Sequence, residues 1–291
     1  MQEMIRQDII RKQHNGKPVP VRNYRGDLEY LTFPGLTGTG LVNHLFSTRL
    51  GGVSGDMYES MNLSYARGDE DEAVDENYRR IGEVLGNTMD HFVLSDQTHT
   101  TNVRLVTKAD LGKGITCPKD YTDVDGMITK EPGIVLVTLY ADCVPLYFVD
   151  TKNKAIGLSH SGWKGTVGRI GKATLEAMHE AFGTNPADVY CAIGPSICKD
   201  CYEVSGDVAK QFLKEFGNKA DQIVTPKEQP DKYLLDLWHA NKIVLQEAGI
   251  TEEHIEVTDI CTCCNSSYLF SHRASAGKRG NLGAFLELRN N

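Results

Sequence analysis

The chain has 291 residues, with 31 Lys and Arg against 39 Asp and Glu, a formal net charge of −8 and eight cysteines. That length fits one large α/β domain or two smaller ones, and 40% apolar with 24% charged residues is an ordinary globular composition. The acidic balance leaves no clustered-cation footprint for duplex nucleic acid or anionic lipid, so neither is an expected partner.

Met1 to Asp8 contains an acid where a secretory signal has only basic residues, and no unbroken apolar run follows. The stretch to about residue 26 is polar and broken by Gly16, Pro18 and Pro20, which predicts a lead-in strand or arm over 1–26 before a single catalytic domain over 27–291. An apolar run at 41–47 predicts a strand, followed by the turn-forming segment Arg49 to Gly55. Ala73, Tyr78, Ile81 and Leu85 recur at helical steps among charges and predict a helix over 70–85. Short strands are expected at 91–94, 103–106, 126–129, 134–139, 146–149 and 155–159. The most apolar stretch, Gly133 to Val149, is interrupted by Asp142 and Pro145 and is shorter than the ~20 residues a membrane helix needs, so it reads as buried strands. A helix is expected over 167–182 with Gly183 closing it, then a strand at 189–193, helices over 205–216 and 234–248, and a strand at 255–260. With no long linker, low-complexity tract or repeat, the pattern predicts one α/β domain.

Without an export signal the chain is expected in the cytoplasm, where cysteines are reduced thiols, metal ligands or catalytic groups. Four segments place reactive residues at strand ends: Ser95 to His99, Tyr140 to Pro145, Ser159 to Gly165, and Ser271 to Arg273. His99, Cys143 and His160 form a trio that suits Zn²⁺ and leaves a fourth tetrahedral position open. They are far apart in the chain, however, and Cys143 as a small buried hydrophobe with His160 as a hydrogen-bonded histidine is the competing reading. Cys198-Lys199-Asp200-Cys201 and Cys261-Thr262-Cys263-Cys264 hold two further pairs at i, i+3 spacing. These could form a closed Cys₄ zinc site or be packed thiols. Arg49 beside Gly51-Gly52, Lys164 between Gly162 and Gly165, and Arg273 ahead of Gly277 to Gly280 are candidate anion-binding residues. No P-loop or dinucleotide fingerprint is present, which removes support for triphosphate hydrolysis and dinucleotide redox chemistry.

The ordered series Phe46 to Ser54, Met61-Asn62-Leu63, Gln97-Thr98-His99, Asp125-Gly126, Ala141 to Pro145, His160 to Gly165, Gly194 to Ile197 and Phe270 to Arg273 resembles the YfiH/YlmD-type family over almost the whole chain. That family, long described as multicopper polyphenol oxidases or laccases, is now regarded as zinc-dependent purine nucleoside phosphorylases. The resemblance implies a layered α/β fold with mixed sheets flanked by helices, and zinc on His99, Cys143 and His160, which are also the catalytic residues. It further implies phosphorolysis of adenosine, inosine, guanosine and methylthioadenosine, together with deamination of adenosine. Arg49, Asn62, Lys164 and Arg273 are the expected substrate and phosphate contacts. Purine nucleosides and phosphate would be the partners of a monomer or small homo-oligomer. Two departures touch local loop and pocket detail: Thr100 stands where Gly is common after the histidine, and His272 where Tyr is common before the arginine.

Copper is disfavoured as the cofactor. The nine histidines include no pair separated by a single residue, whereas the trinuclear copper centre of the oxidases uses paired His-x-His motifs. Two other readings stay open: a Cys-His hydrolase with Cys143 as nucleophile and His160 as base, and a non-enzymatic module stabilised by zinc on the four cysteines at 198, 201, 261 and 264.

Overall fold

The computed structural model describes residues 8–12 and 19–290. Along them run β1 (Val21–Arg25), β2 (Leu28–Thr32), α1 (Pro34–Gly38), β3 (Val42–Ser47), α2 (Asp71–Leu85), β4 (Phe92–Leu94) and β5 (Val103–Leu105). Next come β6 (Gly126–Thr129), β7 (Val135–Tyr140), β8 (Val144–Asp150), β9 (Ala155–Ser161), α3 (Trp163–Val167), α4 (Ile170–Phe182) and β10 (Val189–Ile193). The chain then forms β11 (Glu203–Ser205), α5 (Gly206–Phe216), β12 (Val224–Pro226), β13 (Lys232–Leu235), α6 (Leu237–Glu247), β14 (Ile255–Val257) and β15 (Leu282–Leu288). One six-stranded sheet has the order β1-β2-β3-β15-β7-β4, the other β14-β10-β8-β9-β6-β5, and β11-β13-β12 form a small third sheet. Both large sheets are mixed: β4 is parallel to β7, β5 to β6, and β10 to β14, the remaining pairs being antiparallel.

Side-chain alternation along the central strands explains the layering. In β8, Val144, Leu146 and Phe148 pack with Ile170, Leu175 and Met178 of α4 and Ala240 and Val244 of α6. Tyr147 and Val149, on the other face, join Phe46, Leu136, Tyr140 and Leu286 of the first sheet. The Tyr147 hydroxyl donates to the Leu45 carbonyl at 3.0 Å and links the sheets through their shared core. On the outer face of the first sheet, Val135, Val137 and Phe285 receive Val74, Tyr78 and Ile81 of α2. The result is helix, sheet, sheet, helices: the one α/β domain that the pattern predicts, with the layers and mixed sheets that the family resemblance implies.

The structure departs from expectation in four places. β15 lies in the middle of the first sheet between β3 and β7, although Gly283 weakens its strand signal and its partners are remote in the chain. The helix expected over 167–182 is broken into α3 and α4 at Arg169, whose backbone is left-handed (φ +60°) and whose guanidinium pairs with Glu215 and Glu247. The helix expected from 234 begins only at Leu237, because Leu234 and Leu235 belong to β13 and Asp236 caps the helix through the His239 amide. The boundary expected at residue 26 falls in the turn of the β1–β2 hairpin, so Val21–Arg25 is an edge strand of the first sheet. Gly133 to Val149 resolves mainly into β7 and β8, and no described helix is long and apolar enough to cross a membrane.

Candidate metal centre

Antiparallel pairing places Val144 opposite Ser161 and Pro145 opposite His160. Cys143, immediately before β8, therefore comes beside His160 near the end of β9. His99 arrives from the loop between β4 and β5 with a left-handed backbone (φ +69°). Its Nε2 lies 3.9 Å from the Cys143 sulfur, and its ring meets that of His160 edge-on at 4.9 Å between centroids. One donor atom from each of the three residues lies within 4.8 Å of the other two.

Asp125, fully buried at the head of β6, holds two of these residues at once. Its Oδ1 is 2.7 Å from His160 Nδ1, and its backbone carbonyl accepts the His160 amide at 2.7 Å. Its Oδ2 accepts the amides of Thr98 (3.0 Å) and Thr100 (2.9 Å), the residues flanking His99. Nδ1 of His160 is thus engaged and Nε2 is left to face His99 and Cys143, the arrangement that orients metal-ligating histidines. Burial opposes ionisation of Asp125, but His160 and the two amides overcome it and hold the carboxyl at about 2. Burial likewise opposes ionisation of Cys143, yet the neighbouring imidazoles of His160 and His99 bring its thiol down to about 6. His160 is held up at about 9 against its own burial by Cys143 and Asp125.

Two imidazoles and a thiol converging on one point are the donor set for a borderline-soft transition metal. The gap around them is tight. A Cβ on Gly162 would lie 2.7 Å from His99 Cδ2 and 3.2 Å from the Cys143 sulfur, so only glycine fits there. The trio opens into a cavity of about 490 Å³ whose wall also includes Tyr65, Leu94, Gln97, Leu139, Arg67 and Arg279, within the size range of small-molecule sites. Asp142, left-handed at φ +88°, is turned to other partners: its carboxylate accepts Thr262 Oγ1 (2.6 Å) and the Arg273 amide (2.7 Å).

The expected phosphate residues sit elsewhere. The Arg49 guanidinium donates to the carbonyls of Glu59 and Ser266 and stacks on Phe270 in the wall of a neighbouring cavity of about 200 Å³. Lys164 is exposed over the Trp163 ring. Arg273 donates to the carbonyls of Cys201 and Glu203. None of the three lines the large cavity. Buried Asn62 braces its rim by accepting the amides of Ser64 and Asn281. The cations in the wall are instead Arg67, Lys119 and Arg279. Lys119 is paired with Asp96. Arg279 Nε is buried without a hydrogen-bond partner in the described structure, and burial together with Arg67 lowers its pKa to about 10. Sequence reasoning noted Asp125 only within the Asp125-Gly126 motif and gave it no role, and it missed these arginines. A further signal for Asp125 was a charged residue heading a wholly buried strand.

Fold and site together define a layered α/β protein with a cluster of three donors that could hold a metal ion in the wall of a cavity. A family model described as multi-copper polyphenol oxidoreductase laccase matches residues 43–289, and the chain belongs to that family. It is 35% identical over 248 residues to the purine nucleoside phosphorylase YlmD of Bacillus subtilis, covering 84% of this chain and 87% of the relative. It is also 35% identical over 230 residues to adenosine deaminase RL5 from an unknown prokaryotic organism, covering 78% and 87%. The crystal structure of YlmD from Geobacillus stearothermophilus superposes with a TM-score of 0.85 at 32% identity, over 93% of this chain and all of that one.

Proposed function

We propose that this protein is a zinc-dependent purine nucleoside phosphorylase that also deaminates adenosine, acting in the cytoplasm as one catalytic unit that includes the edge strand β1. The observation that carries the reading is the joining, in one cavity, of a His99–Cys143–His160 donor set with two arginines, Arg67 and Arg279, in the same wall. Similarity to relatives named for each of the two activities supports both halves of it. Adenosine, inosine, guanosine and methylthioadenosine are the proposed substrates.

His99 Nε2, the Cys143 sulfur and His160 Nε2 would hold the ion, and Asp125 keeps both imidazoles aimed by fixing the Nδ1 proton of His160 and the loop bearing His99. Zinc bound there supplies an open Lewis-acid position. The donor set supports zinc over copper, because no methionine lines the cavity to act as an axial ligand and no His-x-His pair is present.

In phosphorolysis a phosphate oxygen bonds to ribose C1′ as the bond from C1′ to the purine nitrogen breaks and its electron pair leaves with the base. Arg67 and Arg279 bind the phosphate dianion, and holding it in line with C1′ is their contribution to rate. Mutual repulsion and the unpartnered Nε of Arg279 make an anion the natural complement of this wall. Leu94, Leu139 and the Tyr65 ring offer apolar faces to the purine. Deamination exchanges the amino group at C6 for water oxygen with release of ammonia, and it needs no phosphate.

The test is incubation of zinc-loaded protein with adenosine, with and without phosphate, with adenine, inosine and hypoxanthine resolved by chromatography. Adenine and ribose 1-phosphate should form only with phosphate, and inosine in either case. No turnover of any purine nucleoside would overturn the proposal.

The line Cys143, His160, Asp125 also has the order of a nucleophile, base and orienting acid. Such a triad has no use for His99. Iodoacetamide inactivation that zinc fails to protect against would favour the hydrolase reading.

A further inference from the structure

The four cysteines at 198, 201, 261 and 264 converge although the two pairs are far apart in the chain. Their sulfurs lie within 4.8 Å of one another, with Cys201 and Cys264 3.4 Å apart. A tetrahedral zinc site with bonds of ~2.3 Å has sulfurs ~3.8 Å apart, so the cluster is already near the required size. All four thiols are free, and Cys198 and Cys261 are buried.

A second observation concerns the backbone. Cys261 Sγ accepts two amides, from Cys198 (3.2 Å) and Cys264 (3.4 Å). Paired amide donors of this kind stabilise a thiolate. Lys12, bonded to Asp200 at 3.1 Å, interacts favourably with Cys198 and Cys264, and Arg273 reaches the Cys201 carbonyl. Cations thus border a cluster that would carry net negative charge.

We propose that these four cysteines bind a second zinc ion in a closed, structural Cys₄ site, separate from the open centre. Four thiolates fill every position of a tetrahedral ion and leave none for substrate. The site staples the turn at 198–201 to the turn at 261–264. Those turns border every group that holds Asp142: the Ile197 amide on its carbonyl, and Thr262 Oγ1 and the Arg273 amide on its carboxylate. Asp142 directly precedes Cys143. The staple is thus a positioning device for one ligand of the open centre, and apolar packing of the same thiols would not make it dependent on metal.

Zinc per chain, measured by elemental analysis and native mass spectrometry on protein purified under reducing conditions, tests this. Wild type should hold two ions, Cys201→Ser/Cys264→Ser one, and His99→Ala/His160→Ala one. Should the serine variant fail to fold, cobalt reconstitution of the metal-free wild type decides. Four-thiolate charge-transfer absorption at one equivalent supports the site, and single-thiolate absorption alone overturns it. One zinc in wild type that is lost in His99→Ala/His160→Ala would overturn the Cys₄ site and leave the open centre standing. One zinc that survives in that variant would sustain the Cys₄ site and overturn the open centre. A Cys201–Cys264 disulfide in the purified protein, or iron in place of zinc, would also overturn the proposal.

Discussion

Replacing Asp125 by Asn tests how one buried carboxylate serves two metal ligands. The carboxylate accepts on both sides, from His160 Nδ1 through Oδ1 and from the Thr98 and Thr100 amides through Oδ2. An asparagine has one acceptor and one donor end. With its oxygen toward the two amides, its NH₂ faces His160 Nδ1, which must then be unprotonated, and the proton moves to Nε2, where the metal's lone pair is needed. With its oxygen toward His160, the NH₂ confronts two amide N–H groups at about 3 Å. Loss of an orienting partner alone weakens a metal site ~10–100-fold, about 1.4–2.8 kcal/mol. The forced tautomer places Asp125→Asn at or beyond the upper end, roughly 100-fold. Chelator competition at fixed pH gives the zinc dissociation constant, and thermal unfolding of the metal-free protein shows whether the fold survives. A folded variant whose zinc affinity is within about threefold of wild type would refute the role given to Asp125.

Gly162→Ala should prevent His99 and Cys143 from closing on one ion while the protein stays folded, since the new methyl would lie 2.7 Å from the His99 ring; retained metal stoichiometry contradicts this. Arg279→Ala should raise the KM for phosphate about 10- to 100-fold, the value of a lost charge-assisted hydrogen bond, and leave phosphate-independent inosine formation nearly unchanged. Equal losses in both reactions would remove Arg279 from the phosphate seat. His44 accepts the Phe33 amide through Nε2, and burial, aided by Arg289, lowers its pKa from 6.5 to about 4. The unfolded chain then binds the extra proton between those values. Stability is whole above pH 6.5 and falls by about 3 kcal/mol as pH drops to about 4. His44→Gln, which keeps an acceptor, should flatten that part of the urea-midpoint profile, and an unchanged slope would show that His44 is not its source.

Local chemistry made much of the fold legible. Tyr78, Ile81 and Leu85 carry the helical period of α2, Gly183 ends α4, and the runs in β7 to β10 are apolar on both faces because helices and a second sheet cover them. The three donors were legible as reactive residues at strand ends and as a family resemblance. Their meeting was implied by the resemblance alone, because nothing in the spacing of His99, Cys143 and His160 encodes it. Antiparallel pairing of β8 and β9, with Asp125 gripping both sides, brings them together.

The basic residues show the limit most clearly. Arg49, Lys164 and Arg273 stand beside glycines and read as an anion seat, but Arg49 and Arg273 are occupied by carbonyls supplied from remote segments, and Lys164 lies exposed over Trp163. Arg67 and Arg279, unremarkable in sequence, also donate to carbonyls, of Gly277 and Gly280, but come together in the cavity wall. Sequence alone determined which side chains can carry charge, bind metal or fill a core, since those are properties of each residue and its near neighbours. Which of them share a cavity was decided by tertiary structure, because that depends on strand register and buried hydrogen bonds between segments with no local trace of one another.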